Sequence, residues 1–402
     1  MLTFFSGSAH VVNSERAVEA CLQEALAEGK AQQCKAIVFN TTLGHNLAKL
    51  GQALAQRVPG AAIFGASASG VTARDGVGEA MHDVAIMGMC GDDTDFCSAA
   101  VSGIYAHNSR EKGLELAQAL KAAARGRVHT VYLLCPGIDI ANDLVVKAFN
   151  ETFGEDVVIG GGTASDNMRG LVDYQYHDGV MSEHDAWAIG ITDPGIHSLT
   201  RATHGFLAYG EPMVVTKADG VRILELDGKP AWPTYIERLS LPEAARCGDT
   251  IPVGALAEEL PPDVAREYGN GHILRVVTKF DDEGAMYYAT TIREGTKLWL
   301  THRNEDLIFD ETQRTMDTLT DWLGTGVPVA VFQTDCLARG RFLFNRIVKD
   351  ELIGMIQGAL SVKGVIPPWI GMYGFGEYAR LGGKNAYHNY STGILVLYRD
   401  SV

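Results

Sequence analysis

The chain repeats itself, and the repeat limits which folds are open to it. Gly65-Ala66-Ser67-Ala68-Ser69 recurs as Gly161-Gly162-Thr163-Ala164-Ser165. Further on, Met81-His82-Asp83-Val84-Ala85-Ile86-Met87-Gly88-Met89 recurs as Glu183-His184-Asp185-Ala186-Trp187-Ala188-Ile189-Gly190-Ile191. Two matches in the same order describe a duplicated unit: a strand, a small-residue turn and a second strand. Each copy sets a Gly/Ser/Thr loop just past a buried strand, where ligands are often held.

The apolar patterning fills in the units. Ala36-Ile37-Val38-Phe39-Asn40 reads as a buried strand, and Leu47, Leu50 and Leu54 place a helix over Asn46–Val58, stopped by Pro59-Gly60. Ala61–Phe64, Asp83–Met89 and Phe96–Tyr105 read as strands. The second copy runs through a helix at Arg110–Ala124, strand 130–134, a helix from a capping Asn142 to Phe153, strand 157–159, and strands near Leu171–Tyr176 and Ala186–Thr192. Strand, helix, strand, strand, strand is not βαβ alternation, so the expected class is α+β, with mixed or antiparallel sheets and helices packed outside.

Val215–Ala231 is turn-rich and is expected to open a second domain. Pro242–Pro262 holds four of the 13 prolines and reads as an irregular connector. Strands are expected at His272–Thr278, Met286–Thr291 and Lys297–Thr301, and helices at Glu305–Leu323 and Leu343–Leu360. Strand, helix, glycine-rich strand, strand appears a third time near the C-terminus, with little residue identity. The expected domains are 1–205, built from two repeated units, and 206–402.

A net charge of −15 and no Lys/Arg cluster argue against nucleic acid and anionic membranes as partners. The N-terminus lacks a signal-peptide pattern and no apolar run is long enough to span a bilayer, so a cytoplasmic protein is expected. Seven cysteines without a C-x-x-C fit reduced thiols rather than disulfides or a zinc knuckle.

The small-residue loop Ile63-Phe64-Gly65-Ala66-Ser67-Ala68-Ser69-Gly70 resembles the signature of the N-terminal FIST domain. The other half resembles the C-terminal FIST domain through Val214–Gly220, Glu225–Ala231, Cys336-Leu337-Ala338-Arg339, and Gly374-Phe375-Gly376-Glu377 followed by His388-Asn389-x-x-Thr392. The resemblance implies a cytosolic sensor that binds a small ligand. Relatives occur beside or fused to histidine kinases and cyclic-di-GMP enzymes, and such a separate partner is expected here; a homo-oligomer is also compatible. A haem-binding, nitric-oxide-sensing NosP-like branch makes haem b the leading expected cofactor. A small amino acid or other metabolite is the alternative ligand, and an enzyme of unknown reaction the alternative class.

The residues narrow the chemistry. No G-x-G-x-x-G, phosphate-binding G-x-x-x-x-G-K-[ST], G-x-S-x-G or H-E-x-x-H pattern is present, so no catalytic residue and no metal ligand is assigned. Ser67, Ser69, Thr163 and Ser165 are candidates for lining a ligand site, with a tight interstrand turn as the plainer reading. His82-Asp83 and His184-Asp185 are equivalent by repeat and read as capped turns. Arg339, Glu377, His388 and Asn389 form a second candidate ligand-binding set, and Arg339 has Glu351 as a structural partner to choose instead. Haem needs an axial ligand. His204, at the inferred domain junction, is the candidate, ahead of Cys135-Pro136.

Overall fold

The computed structural model describes residues 1–401 except 168 and 341–343. Its first unit runs β1 (Thr3–His10), α1 (Ser14–Ala27), β2 (Cys34–Thr41), α2 (Leu47–Arg57), β3 (Ala62–Ser67), the hairpin β4 (Val71–Ala73) and β5 (Gly76–Gly78), and β6 (Asp83–Cys90). The second repeats that order as β7 (Phe96–Ser102), α3 (Ser109–Ala123), β8 (Thr130–Cys135), α4 (Asn142–Phe153), β9 (Val158–Thr163), β10 (Gln175–His177), β11 (Val180–Ser182) and β12 (Asp185–Ile191).

A third unit begins with β13 (His197–Thr203) and is then interrupted. The insertion holds β14 (Phe206–Asp219), β15 (Arg222–Leu226), β16 (Lys229–Pro230), α5 (Ala231–Arg238), α6 (Cys247–Thr250), β17 (Leu256–Glu259), α7 (Pro262–Tyr268), β18 (His272–Arg275), β19 (Lys279–Phe280), β20 (Met286–Tyr287) and β21 (Lys297–Arg303). The unit resumes with α8 (Glu305–Leu323), β22 (Val327–Cys336), α9 (Arg346–Ala359), β23 (Trp369–Gly374), β24 (Glu377–Leu381), β25 (Lys384–His388) and β26 (Thr392–Arg399).

Each unit builds four strands of a sheet in one order: β1-β6-β2-β3, β7-β12-β8-β9 and β13-β26-β22-β23. The third strand pair of each, β2 with β3, β8 with β9 and β22 with β23, is parallel, and the rest of each sheet is antiparallel. The hairpins are exchanged in a ring. Hairpin β10–β11 of the second unit completes the first sheet, β24–β25 of the third completes the second, and β4–β5 of the first completes the third.

The inner faces of the three sheets share one core. Phe64 lies 5.3 Å from Trp187 and Tyr132 4.5 Å from Phe332, ring centre to ring centre, so side chains of all three units meet. Helices α1 and α2, α3 and α4, and α8 and α9 cover the outer faces with apolar stripes. Leu47, Leu50 and Leu54 are all buried under α2. Burying such a side chain contributes about 1.5–3 kcal/mol.

The small-residue repeats are a packing requirement. A Cβ on Gly65 would sit 2.3 Å from the Phe39 ring. At Gly161 φ is +119° and a Cβ would lie 2.1 Å from the Leu133 carbonyl oxygen, so only glycine fits. Asp83 caps a turn, accepting from Ala80 N and also from His10, whereas Asp185 pairs with the His177 side chain.

The α+β class and outside helices agree with the sequence reading, and α8 spans the expected residues. Other details differ. The third unit is interrupted after β13 by the insertion. Val215–Ala231 begins inside a 14-residue strand, β14, and the proline-rich stretch holds α6 and β17. Asn142 is the first residue of α4 rather than its cap; its side chain bonds Ala289 O at 3.2 Å and Tyr378 Oη. The expected start of α9 at Leu343 lies outside the described residues. No described helix is long and apolar enough to cross a membrane.

Position 205 marks where the chain leaves the third unit, yet β13 pairs along its length with β26, and the second sheet needs β24. A fragment of residues 1–205 is therefore expected to lack a fixed near-UV circular dichroism signal, and co-expression with 206–402 to restore it. A well-dispersed NMR spectrum from the fragment alone would contradict the exchange as a folding requirement.

Candidate functional site

The glycine-loop hydroxyls are spent on joining the units. Ser67 Oγ donates to Ser165 O (2.8 Å) and accepts from Tyr174 N (2.8 Å). Ser165 Oγ donates to Tyr373 O (2.6 Å) and accepts from Ser69 N (3.0 Å), while Ser69 Oγ also reaches Tyr373 O (3.1 Å). Thr163 Oγ1 faces Gly376 O at 3.4 Å. All four side chains are buried and none lines the pocket described next. They meet because β3, β9 and β23 end at one pole of the three-unit body, where each hands its hairpin to a neighbour.

Beside this pole, under the inserted sheet, lies a pocket of about 560 Å³ including its open mouth. The second unit contributes Gly137, Ile138, Arg169 and Gly170. The third contributes Cys336, Leu337, Ala338, Phe375 and Tyr390. The insertion closes it with Cys247, Gly248, Ile251 and Val276 to Thr278. Here the third unit departs from the other two: Phe375 and Gly376 stand at the positions of Ala68-Ser69 and Ala164-Ser165 in the strand-to-hairpin turn.

Behind the Phe375–Tyr390 wall sits a buried polar cluster. Arg339 donates Nε to Asp335 Oδ1 (3.2 Å) and Nη1 to His204 O (3.1 Å), and its Nη2 has no partner among the described residues. It does not pair with Glu351, which is exposed. Glu377 and His388 are register partners in the β24–β25 hairpin. Glu377 Oε2 accepts from Ser391 Oγ (2.6 Å) and Ser391 N (3.3 Å), and its Oε1 has no partner among the described residues. Among the described residues neither His388 nitrogen nor the Tyr268 hydroxyl has a partner at hydrogen-bonding geometry, and their rings lie 5.8 Å apart. Asn389 does a different job: its Nδ2 donates to Phe375 O (2.9 Å) and so fixes the pocket wall.

Burial sets the protonation of this cluster. It pushes the Glu377 carboxyl well above the usual range against the Ser391 hydrogen bonds, and raises Asp335 despite the neighbouring Arg339. It lowers His388 to about 3, with Arg275 adding to the effect, and His204 to about 4. Both imidazoles are neutral at pH 7. Burial also pushes the Cys247 thiol up to about 12 and raises Cys336, so the two pocket sulfurs are protonated and are not activated nucleophiles. Among the described residues no group of three or more His, Cys, Asp or Glu side chains is gathered to hold a metal.

Neither candidate axial ligand fits haem. His204 Nδ1 accepts from Phe206 N (2.9 Å), so Nε2 carries the proton and donates to His272 O (3.0 Å). Both nitrogens are engaged inside the protein and the ring is 2% exposed, which leaves no lone pair for iron. Cys135 is fully buried, with its thiol raised to about 12 by burial.

The sequence brought Arg339, Glu377, His388 and Asn389 forward, and the fold gathers them behind one wall. It gave no signal for Arg169, Cys247, Ile251 or Val277, which come from a loop and an insertion with no repeat. Cys336-Leu337-Ala338-Arg339 and Gly374-Phe375-Gly376-Glu377 were the pointers to this pocket, through Cys336, Leu337, Ala338 and Phe375.

Glu377 offers a test with a definite sign. Its folded pKa is raised, so the stability it contributes is full below the unfolded value of about 4.3 and is lost as pH rises. Glu377→Gln, which keeps an acceptor for Ser391, is expected to leave stability near wild type at pH 4.5 and to raise it at pH 8. Urea unfolding at the two pH values checks this; an equal effect at both would show that the carboxyl titrates normally.

Known proteins place the chain. The FIST N domain matches residues 35–229 and the FIST C domain residues 237–380, so the two change over inside the inserted sheet. The uncharacterised protein Rv0628c of Mycobacterium tuberculosis is 24% identical over 277 residues, covering 68% of this chain and 69% of its own. The uncharacterised protein Mb0898c of Mycobacterium bovis is 24% identical over 276 residues, covering 67% and 68%. Among solved structures, a cyanuric acid hydrolase described as structural concatenation aligns over 99% of this chain and 100% of its own, at 9% identity and a TM-score of 0.40. The enzyme from A. caulinodans aligns over 100% of each chain, at 10% identity and a TM-score of 0.37. With its two characteristic domains matched in order along most of its length, the chain belongs to the FIST family.

Proposed function

We propose that this protein is a ligand-binding sensor whose ligand occupies the pocket between the insertion and the three-unit body. FIST domains are associated with sensory signal-transduction proteins. The observation that carries the reading is the make-up of the pocket: its walls come from the second unit, the third unit and the insertion together. A ligand touching all three shifts the balance between their arrangements by its differential affinity. The output passes to a separate histidine kinase or cyclic-di-GMP enzyme.

The ligand we assign is an organic metabolite. The haem and nitric oxide reading asks for an iron ligand that His204 does not offer. The protonated thiols and buried, hydrogen-bonded hydroxyls give no support to an enzyme.

A Cβ on Gly248 would meet no atom within 4 Å, so Gly248→Leu adds bulk at the pocket without a backbone clash. A thermal-shift screen of metabolites is expected to yield ligands that stabilise wild type. Saturation at 100 times Kd adds about 2.7 kcal/mol. Gly248→Leu is expected to lose that response, and equal shifts in both proteins would place the ligand elsewhere. Haem titration is expected to give no one-to-one Soret band. Such a band, abolished by His204→Ala, would restore the haem reading.

A further inference from the structure

We infer that the pocket selects an apolar molecule carrying a single anionic group, held by Arg169 at the mouth. The inference rests on the pocket reading above and adds the chemistry of the ligand. Ile138, Ile251, Val277, Leu337 and Phe375 make the walls, and the two protonated thiols behave as small apolar groups. Such walls favour a hydrocarbon or aromatic body through desolvation.

Among the described lining residues Arg169 is the one that carries charge. The loop that bears it is pinned by Asp166, whose carboxylate accepts from the backbone N–H groups of Arg169 (2.8 Å), Gly170 (3.1 Å) and Leu171 (2.8 Å). Asp166 is buried and turned to the backbone, while Arg169 is exposed. The guanidinium has no ion-pair partner among the described residues. It is therefore a cation at an apolar mouth, in a chain whose net charge is −15. No described carboxylate lines the pocket. A ligand cation would find no counter-charge there. A carboxylate or a phosphate ester would meet the guanidinium fork directly.

The test compares decanoate, decyl phosphate, decan-1-ol and decylammonium by isothermal titration on the full chain. One anion is expected to bind about fivefold more tightly than the alcohol, the scale of an exposed charge pair, and the ammonium more weakly than either. Whichever anion binds more tightly identifies the head group. Arg169→Gln is expected to bring the anion to the alcohol's affinity and to leave the alcohol unchanged. The inference is overturned if alcohol and anions bind alike, if Arg169→Gln weakens both equally, or if no probe binds. Equal binding of alcohol and anions that Gly248→Leu abolishes would overturn the charge selection yet leave the pocket reading standing. No binding by any probe, together with a blank metabolite screen, would remove both.

Discussion

Each sheet of the three-unit body is finished by a hairpin from a different unit, and the rest of the structure depends on that exchange. Without β24 at its side, β9 would end its sheet as an open edge, and unpaired edges invite aggregation. The exchange closes the ring and brings the inner faces together, so Phe64, Trp187, Tyr132 and Phe332 form one core. Polar links follow the same path. Trp187 Nε1 donates to Gly65 O at 3.2 Å, and Asn40 Nδ2 to Gly371 O at 3.2 Å, each joining two units.

Exchange also explains the fate of the repeated loops. Three strands must reach one pole and turn outward at close quarters. Small residues allow the approach, and Ser67, Ser69 and Ser165 satisfy the backbone groups that would otherwise be buried without partners. The third unit breaks the pattern with Phe375 and Gly376, and the insertion arches over that break. The pocket thus arises where the repeat fails. Function sites commonly sit at such departures from local regularity.

Much of the architecture was legible because periodicity is local. Leu47, Leu50 and Leu54 marked α2, and Glu305–Leu323 marked α8, since an amphipathic stripe is visible within a few turns. Asn142 misled because a polar residue before an apolar run looks like a cap, whereas Tyr378, far along the chain, is what it serves. The strand expected at Leu171–Tyr176 shrank to Gln175–His177, because Asp166 captures the preceding backbone amides. Glu377 and His388 were readable as a pair, being close in sequence and joined by a hairpin.

The sequence by itself determined the repeated unit, the small residues at its turns and the helix stripes, because each depends on neighbours within one unit. Tertiary structure alone decided which hairpin joins which sheet, and that Arg169, Ile138 and Ile251 share a pocket with Leu337. It also decided that His204 has both nitrogens occupied and that burial raises the Glu377 carboxyl well above its usual range. Those outcomes follow from desolvation and from partners distant along the chain, and neither quantity is carried by local pattern.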